Sequence, residues 1–418
     1  YNRYEYASRG ERTDIGRRLR YVSKNAADFA AAKDIRIYGM ATWLRETFSD
    51  LFRQDTAWSA RLNRRLLLGR LVDLLVILLR DGGAYALLLV MAVRGELRPD
   101  EFVLYFSAIS GFATFIGNMI SAWNEMQTAS LKVSDYRQFM ELPDTDGTGT
   151  AHAADHREHA PEITFDHVSF RYDGAAHDTL HDISLTLRAG EHVALVGLNG
   201  AGKTTLVKLL CGLYAPTSGT IRIDGVPAAE FRRDDYAALF APVFQEVRTA
   251  CFSLAETAAC AFGPEVDRER AERCLRAAGL GEKLDALPHG MDTHLDKQVN
   301  PDGIELSGGE AQKLMMARAL YKDAPVLVLD EPTAALDPIA ENEVYEQYRR
   351  MAAGKTSLFI SHRLASTRFC DRIVLLRDGG IAEEGTHETL LAAGGEYARL
   401  YEIQSCWYQP GYQGGKQA

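Results

Sequence analysis

The sequence is poor in the residues that build disulfide frameworks and cysteine-based metal sites. Its six cysteines are scattered along 418 residues, without a CxxC pair and without a histidine at metal-ligand spacing. Isolated cysteines in a chain of this length are most simply reduced thiols of a cytosolic protein. We therefore expect these thiols to be reduced and buried in the interior.

A signal peptide is also absent, and the first residue is Tyr1 rather than methionine. Residues 1–21 are basic, aromatic and helix-like, so we expect an N-terminally incomplete sequence. Residues 1–140 contain 20 Lys and Arg against 15 Asp and Glu, whereas residues 141–418 contain 27 against 42. This asymmetry indicates two bodies with different neighbours, and the acidic second body argues against nucleic acid as a partner.

Long apolar runs occur only near the front of the chain. Residues 102–124 are 23 residues without a charge, which is enough to cross a hydrocarbon core of about 30 Å. Residues 66–93 are also apolar but contain charged groups, so they predict either a second span or a long amphipathic helix of a soluble bundle. The charged groups of this stretch are Arg70, Asp73, Arg80 and Asp81.

Charge placement favours the membrane interpretation. Residues 1–65 contain 14 Lys and Arg against 8 Asp and Glu, and the connector of residues 94–101 is short. These features predict a helical hairpin with its basic side in the cytoplasm. Asp73, Arg80 and Asp81 would then face the interior of a helix bundle, pair with one another, or lie near the membrane surface.

The character of the sequence changes after residue 140. Residues 141–161 have no apolar period and predict a linker, in which His156 and His159 are polar residues rather than metal ligands. Residues 162–405 alternate short β-rich runs with helical stretches, which indicates an α/β domain with a largely parallel sheet. We expect the tail, residues 406–418, to be disordered.

Two segments of this domain predict nucleotide chemistry. Residues 194–210, ALVGLNGAGKTTLVKLL, match GxxxxGK[ST], a loop whose backbone N–H groups surround phosphate while Lys203 and Thr204 reach the phosphates and Mg²⁺. Residues 326–338, VLVLDEPTAALDP, end a strand in Asp330 and Glu331, which suit a metal ligand and a proton acceptor. A charged strand exit would explain one such carboxylate, but not both motifs in one domain.

A third segment, ELSGGE at residues 305–310, precedes a helical run and exposes backbone N–H groups as a second anion site. Taken in order, SFRYDG, the phosphate loop, PVFQE, LSGGE, LVLDEPTAALD and FISHRL resemble the ATPase domain of an ABC transporter. The resemblance implies ATP and Mg²⁺ as cofactors. It implies nucleotide binding by Tyr172, Gly197, Asn199, Gly200, Gly202, Lys203, Thr204, Thr205, Ser307, Gly308, Gly309 and Asp337; metal binding by Thr204, Gln245 and Asp330; and catalysis by Glu331, His362 and Gln245.

The resemblance also explains why one chain has two anion sites. In ABC ATPases two domains pack head to tail, so Ser307 would complete the nucleotide site of a second subunit, in a homodimer or a heterodimer. Glu310 stands where the family usually has Gln, and QVNPDG at residues 298–303 departs from the usual exporter segment that meets the coupling helices.

The front of the chain resembles bacterial-type exporter half-transporters, with a coupling helix near residues 38–45. The implied fold is the C-terminal fragment of an all-α, six-helix transmembrane domain (residues 1–140) plus an α/β P-loop ATPase domain with a helical subdomain (residues 162–405). The implied protein is an integral membrane exporter, in the plasma membrane of a bacterium, with a cytoplasmic ATPase domain. Its partners would be lipid and an unidentified peptide, lipid or drug-like substrate.

Two other functions are considered. A soluble ABC-class ATPase that acts on nucleic acid or ribosomes would have long coiled coils or tandem ATPase domains, and the sequence has neither. A regulatory subunit without hydrolytic activity does not fit the presence of Asp330, Glu331 and His362.

Overall fold

The chain divides into two units, Tyr1–Pro143 and Asp144–Ala418. A computed structural model describes residues 9–29, 31–142, 149–152, 154–244, 250–297, 299–330, 338–361 and 364–406. Each unit is described by itself below.

The described part of the first unit is helical. Its helices are α1 (Arg9–Ala27), α2 (Ala32–Ile37), α3 (Ala41–Val93) and α4 (Pro99–Met140). The spans predicted at residues 66–93 and 102–124 lie inside α3 and α4, and both helices are long and apolar enough to cross a membrane by length and composition. Most apolar side chains along these two stretches are exposed.

The short helix predicted near residues 38–45 differs from the observed one. Gly39 has a φ of +63° in a turn between α2 and α3, so residues 38–40 are a turn and residue 41 already begins the 53-residue helix α3. A left-handed residue interrupts a right-handed helix, and glycine adopts that conformation without steric cost. The helix before Gly39 is α2, and which of these segments acts as the coupling helix stays a prediction.

Two contacts within the first unit concern charged and aromatic side chains. The Arg80 guanidinium donates to the Asp81 carboxylate at 2.7 Å. Of the arrangements considered for the ionisable groups of this stretch, these two residues therefore show mutual pairing. The rings of Tyr85 and Phe106, on α3 and α4, stack at 4.8 Å between centroids. Apolar and aromatic contacts of this kind join the two long helices.

The second unit is built on two sheets among its described residues. The larger sheet has the order β10-β9-β3-β8-β7-β6, with β10 antiparallel to β9 and the other neighbours parallel. The smaller sheet is antiparallel, in the order β2-β1-β4-β5. The strands are β1 (Ile163–Phe170), β2 (Leu180–Leu187), β3 (His192–Gly197), β4 (Ser218–Ile223), β5 (Val226–Pro227), β6 (Phe240–Val243), β7 (Val326–Asp330), β8 (Thr356–Ile360), β9 (Arg372–Arg377) and β10 (Gly380–Gly385).

Both faces of the larger sheet are buried. Every residue of β7 and β8 is buried, which explains why these strands are continuous apolar runs in the sequence. Successive residues alternate between two apolar clusters: Leu327 and Leu329 belong to one, and Val326 and Val328 to the other. The alternation indicates that each cluster covers one face of the sheet.

Helices surround the sheets and form a helical subdomain before β7. The helices are α5 (Ala154–Arg157), α6 (Lys203–Leu210), α7 (Arg233–Ala238), α8 (Leu254–Ala259), α9 (Arg268–Leu275), α10 (Gly281–Ala286), α11 (Gly308–Lys322), α12 (Pro338–Ala352), α13 (His387–Ala393) and α14 (Glu396–Cys406). The subdomain consists of α8 to α11, with the π-helical segment Arg276–Leu280 between α9 and α10. The 3-10 helix Leu364–Phe369 follows β8.

The predicted linker contacts the α/β unit through its histidines. His156 Nδ1 lies 2.8 Å and His159 Nε2 lies 3.1 Å from the same Asp224 oxygen, and the Glu162 N–H donates to the other oxygen at 2.8 Å. Burial opposes ionisation of Asp224, but these hydrogen bonds outweigh it and the pKa of the carboxyl is lowered. The two histidines therefore hold this polar segment on the β4–β5 turn.

The cysteines only partly follow the expectation of burial. Cys211, Cys251, Cys260, Cys274 and Cys370 are free thiols, and burial raises the pKa of Cys211 to about 12. Cys260, however, is exposed; it follows the end of α8 in a left-handed conformation. The expectation of a buried thiol is therefore wrong for Cys260.

Candidate nucleotide site

The phosphate loop connects β3 to α6 through a sharp glycine-dependent turn. Gly197, the last residue of β3, has a φ of +150°, and a Cβ there would lie 2.3 Å from the Leu376 carbonyl oxygen. Gly202, which precedes α6, has a φ of +102°, and its Cβ would lie 2.6 Å from a Leu180 methyl carbon. A side chain at either position would be strained and would clash, so the turn requires glycine.

Lys203, the first residue of α6, folds back into this loop. Its ammonium donates to the Gly197 carbonyl at 3.0 Å and to the Leu198 carbonyl at 3.1 Å, and the side chain is 5% exposed. A buried ammonium is stable only where acceptors replace its water. The loop thus holds a positive charge at the N-terminus of α6, where the helix dipole also favours an anion.

Thr204 and Asp330 meet at the carboxyl end of the larger sheet. The Thr204 hydroxyl donates to the Asp330 carboxylate at 3.4 Å, and Asp330 is 1% exposed at the end of β7. The two residues are 126 positions apart in the sequence. A hydroxyl and a carboxylate oxygen are ligands that Mg²⁺ accepts, so this donor set fits the predicted metal.

A cavity of about 1050 Å³ opens beside the phosphate loop. Its walls combine the loop with the end of β8 and with α14. The lining residues are Thr179, Gly197, Leu198, Asn199, Gly200, Gly202, Lys203, Thr204, Thr205, Ser361, Leu364, Leu400 and Gln404. The predicted residues from Gly197 to Thr205 therefore lie together. Thr179, Leu400 and Gln404 had no signal in the sequence, and Ser361 and Leu364 belong to the segment FISHRL but had no predicted role.

Tyr172 lies beside the phosphate-loop helix. Its hydroxyl is 3.1 Å from the Thr205 hydroxyl, and its ring meets the edges or faces of Phe170 and Tyr214 at 4.9 and 5.4 Å between centroids. The aromatic cluster and the hydrogen bond position the tyrosine next to the loop. Stacking of its ring on adenine remains a prediction.

Ser307 is the N-cap of α11 and forms a capping box with Glu310. The Ser307 hydroxyl accepts from the Glu310 N–H at 3.3 Å, while the Glu310 carboxylate accepts from the Ser307 N–H at 2.9 Å. The same carboxylate accepts from the Ser307 hydroxyl at 3.0 Å and pairs with Lys283 at 2.9 Å. Glu310, the departure from the family pattern, thus orders the start of the helix.

The charge of Glu310 is stabilised by these contacts. Burial opposes ionisation, but the Ser307 N–H, the Lys283 ammonium and the Ser307 hydroxyl outweigh it, and the pKa of Glu310 is lowered. Ser307 and Gly308 are exposed, and Ser307, Gly308 and Gly309 are not among the described residues that line the phosphate-loop cavity. The segment is therefore accessible to another molecule.

The loop before this segment is held by an asparagine. The Asn300 amide donates to the Cys251 carbonyl at 3.1 Å and to the Leu295 carbonyl at 3.0 Å. Asn300 belongs to QVNPDG, the segment that departs from the exporter pattern, and these two bonds give it a structural role of its own.

Four predicted site residues lie outside the described part of the chain. They are Gln245, Glu331, Asp337 and His362. Glu331 directly follows the buried Asp330, and His362 directly follows Ser361 of the cavity wall. Their roles remain predictions.

Comparison with known proteins supports the same domain. Residues 180–334 match the family model described as ABC transporter. The ATP-dependent lipid A-core flippases of Burkholderia pseudomallei (strain 1710b) and of Cupriavidus metallidurans (strain ATCC 43123 / DSM 2839 / NBRC 102507 / CH34) are 45% and 42% identical over 245 residues. These alignments cover 58% of this chain and 40% and 41% of the two relatives, so the chain spans less than half of their length.

A solved structure agrees over nearly the whole chain. A structure described as a bacterial Atm1-family ABC exporter with ATP bound has a TM-score of 0.80 and 24% identity, over 97% of this chain and 70% of that chain. The likeness confirms the predicted fold class, a helical part joined to an α/β P-loop ATPase domain with a helical subdomain. Residues 180–334 therefore carry the ATPase domain of an ABC transporter, and the chain has the fold of the bacterial Atm1-family ABC exporter structure.

Proposed function

We propose that the chain is a subunit of a dimeric exporter that hydrolyses ATP to move a substrate across a membrane. The observation that carries this proposal is the phosphate loop, in which the buried Lys203 ammonium lies inside the loop while Thr204 contacts the buried Asp330. A cation, exposed N–H groups and a metal-ligand pair at one helix N-terminus suit a nucleoside triphosphate.

The residues divide the work on ATP among them. Lys203 and the backbone N–H groups of the loop bind the phosphates, and Tyr172 flanks the base. Thr204, Asp330 and Gln245 would hold Mg²⁺, which when bound neutralises negative charge on the phosphates. Glu331 would accept a proton from the attacking water, with His362 steadying that base.

A second subunit would complete each site. Ser307 would donate its hydroxyl, and α11 its N-terminal N–H groups, to the nucleotide that the partner's loop binds. The exposure of Ser307 supports this proposal, as does the order that the Glu310 capping box gives to the helix start. Hydrolysis would remove the shared ligand and release the dimer.

The transported substrate is proposed from the relatives. The two flippases named above carry lipid A-core in their names, so a lipid of that class is the first substrate to test. The exposed apolar side chains of α3 and α4 support a membrane location for the helical part. The ATPase unit would then lie in the cytoplasm.

Hydrolysis of MgATP by the full chain in lipid nanodiscs tests the proposal. We expect Lys203→Ala to abolish binding of MgATP, because it removes the cation from the loop. Lys208→Ala is the matched control, since it removes a lysine from the same helix without touching the loop carbonyls. Equal hydrolysis by the wild-type chain and by Lys203→Ala would contradict the assignment of the site.

Glu331→Gln separates binding from hydrolysis. We expect this variant to bind MgATP as tightly as the wild type and to hydrolyse it at least about 100-fold more slowly, as for loss of a general base. Proteoliposomes with a fluorescent lipid A analogue then test export, with Glu331→Gln as the inactive control. Translocation that is equal in both preparations would contradict the coupling of hydrolysis to transport.

A further inference from the structure

Two segments other than the phosphate loop contribute to the wall of the nucleotide cavity. Ser361 and Leu364 come from the end of β8 and from the start of the 3-10 helix Leu364–Phe369. Leu400 and Gln404 come from α14 and line the same cavity. This helix is remote in sequence from all the nucleotide-binding motifs.

One face of α14 is bonded to the 3-10 helix at three points. The Thr367 and Tyr397 hydroxyls lie 3.3 Å apart, Arg368 donates to the Tyr401 hydroxyl at 2.6 Å, and the Leu364 N–H donates to the Gln404 side-chain oxygen at 2.9 Å. The three α14 residues are spaced by four and three positions, which places them on one side of a helix. The guanidinium of Arg368 also lies over the Tyr401 ring.

The bond to Gln404 is the one closest to the cavity. Leu364 is the first residue of the 3-10 helix and is 3% exposed, so its N–H has no acceptor within the helix and little access to water. The side-chain oxygen of Gln404, on α14, is that acceptor. A second bond in the wall, between the Ser361 and Ser366 hydroxyls at 2.8 Å, closes the turn on itself.

The rest of α14 is anchored in the core. Tyr397 is fully buried, and its hydroxyl lies 2.8 Å from His387 Nδ1 on the preceding helix. Leu364 of the 3-10 helix and Tyr397 of α14 belong to the same buried apolar cluster, so the two segments are packed together as well as hydrogen-bonded.

We propose that α14 positions the cavity wall for hydrolysis, with Gln404 as the positioning residue that fixes the Leu364 end of the turn beside the nucleotide. The inference rests on the proposed ATP hydrolysis and extends it to a residue outside the family motifs. The 3-10 helix begins two positions after His362 in the sequence. A displaced Leu364 would therefore alter the geometry of hydrolysis more than it would weaken the binding of phosphate by the loop.

Three substitutions test this role in the full chain in lipid nanodiscs. Gln404→Leu keeps the side-chain size and removes the acceptor, so we expect kcat to fall about 10- to 100-fold, as for small misplacement at a reacting centre. The affinity for ATPγS in the presence of Mg²⁺ should stay within about twofold of the wild-type value, because the phosphate loop is untouched. Gln404→Glu keeps an acceptor oxygen and should retain kcat, while its charge at the cavity raises KM for ATP.

The third substitution and a control variant distinguish the proposed role of Gln404 from a general disturbance of α14. Tyr401→Phe removes the acceptor for Arg368 but keeps the ring, and should lower kcat less than Gln404→Leu does. Glu402→Gln changes an exposed residue of the same helix and should leave kcat unchanged.

The outcomes separate this inference from the proposed function. Full activity of Gln404→Leu, an equal loss of kcat in Gln404→Leu and Gln404→Glu, or a loss of ATPγS binding together with a lower melting temperature would each overturn the role of Gln404. A wild-type chain that binds ATPγS but does not hydrolyse ATP would overturn the proposed function itself.

Discussion

The two units of the chain treat apolar surface in opposite ways. In the α/β unit, Val326 and Leu358 are fully buried between sheet and helices, whereas in the helical unit Leu75 and Leu79 are 59% and 70% exposed. The described residues of one unit form sheets and helices, and those of the other form mainly long helices. The difference teaches that the α/β unit has a core of its own, while the helical unit needs lipid or further helices around it.

The largest expected effect is a loss of stability when an ion-pair network of the α/β unit is disrupted. Arg372 donates two bonds of 2.7 Å to Glu191, and it also contacts Glu384 and the Thr186 carbonyl. Arg372→Met would leave the Glu191 carboxylate, which is 10% exposed, without its main partner. We expect a loss of about 3–5 kcal/mol in the free energy of unfolding, measured by urea denaturation of the α/β unit in the full chain.

Two further variants make that experiment specific. Arg372→Met combined with Glu191→Leu should recover part of the loss, because no unpaired carboxylate remains. Arg53→Met breaks an ion pair with Asp50 in the helical unit, where both side chains are largely exposed, and should cost at most about 1 kcal/mol. Equal losses for Arg372→Met and Arg53→Met would contradict the contrast between the units.

The second prediction compares one arginine substitution in each unit. Leu75 and Val299 are almost equally exposed, at 59% and 60%. If α3 spans a membrane, Leu75→Arg should cost about 2.5–3.5 kcal/mol of insertion free energy, whereas Val299→Arg on a water-facing surface should stay within about 0.5 kcal/mol. The measurement is the fraction of chain that remains membrane-integrated after carbonate extraction.

Equal integration of the Leu75→Arg variant and the wild type would favour a soluble bundle for α3. This outcome would remove the physical reason for the contrast, because exposed leucines would then be ordinary surface residues.

The third prediction concerns two helix caps in the α/β unit. Ser307 and Thr386 each accept the N3 backbone N–H of their helix, within a capping box. Replacing either residue with alanine should cost about 1 kcal/mol in the free energy of unfolding. Only Ser307→Ala should also lower ATP hydrolysis, by about 10- to 100-fold, because a hydroxyl bond to a charged phosphate contributes more than a cap.

Steady-state hydrolysis by the two alanine variants provides the comparison. Similar rates in Ser307→Ala and Thr386→Ala would mean that Ser307 acts only as a cap.

The smallest expected effect is a dependence of the stability of the α/β unit on pH. Burial opposes ionisation of Glu191, but the bonds from Arg372 and from the Arg188 N–H outweigh it and lower its pKa. A carboxyl with a lowered pKa contributes stability above its unfolded value of 4.5, and this contribution is lost as the pH falls through the lower folded value. We expect thermal unfolding scans below pH 4.5 to show this loss, and Glu191→Gln to show a weaker dependence on pH.

Much of the fold could be predicted because its signals are local. The apolar runs of β7 and β8, the strand-turn-helix of the phosphate loop and the charge-free run inside α4 are each contained in one contiguous segment. The antiparallel sheet of β2-β1-β4-β5 was missed, since only two of its strands have a clear alternating pattern and the domain was expected to be largely parallel. The turn at Gly39 was also missed, because a glycine in a helical pattern does not reveal its φ.

The candidate site likewise contains residues that a local motif predicts and residues that only the fold brings together. Lys203, Thr204 and Asp330 could be predicted because each occupies a fixed position in a motif. Lys283 and Gln404 could not, since neither has a motif and their roles depend on which side chains the fold brings within reach.

The sequence by itself determined the positions of the phosphate-loop motif and of the long apolar runs, because glycine spacing, strand periodicity and charge-free runs act within a few residues of one another. Only the tertiary structure decided which distant groups meet: Thr204 with Asp330 across 126 positions, Glu191 with Arg372 across 181, and Leu364 with Gln404 across 40. The physical reason is that such contacts depend on how strands, helices and turns pack in three dimensions; Arg372 meets Glu191, for example, because β9 lies beside β3 in the larger sheet.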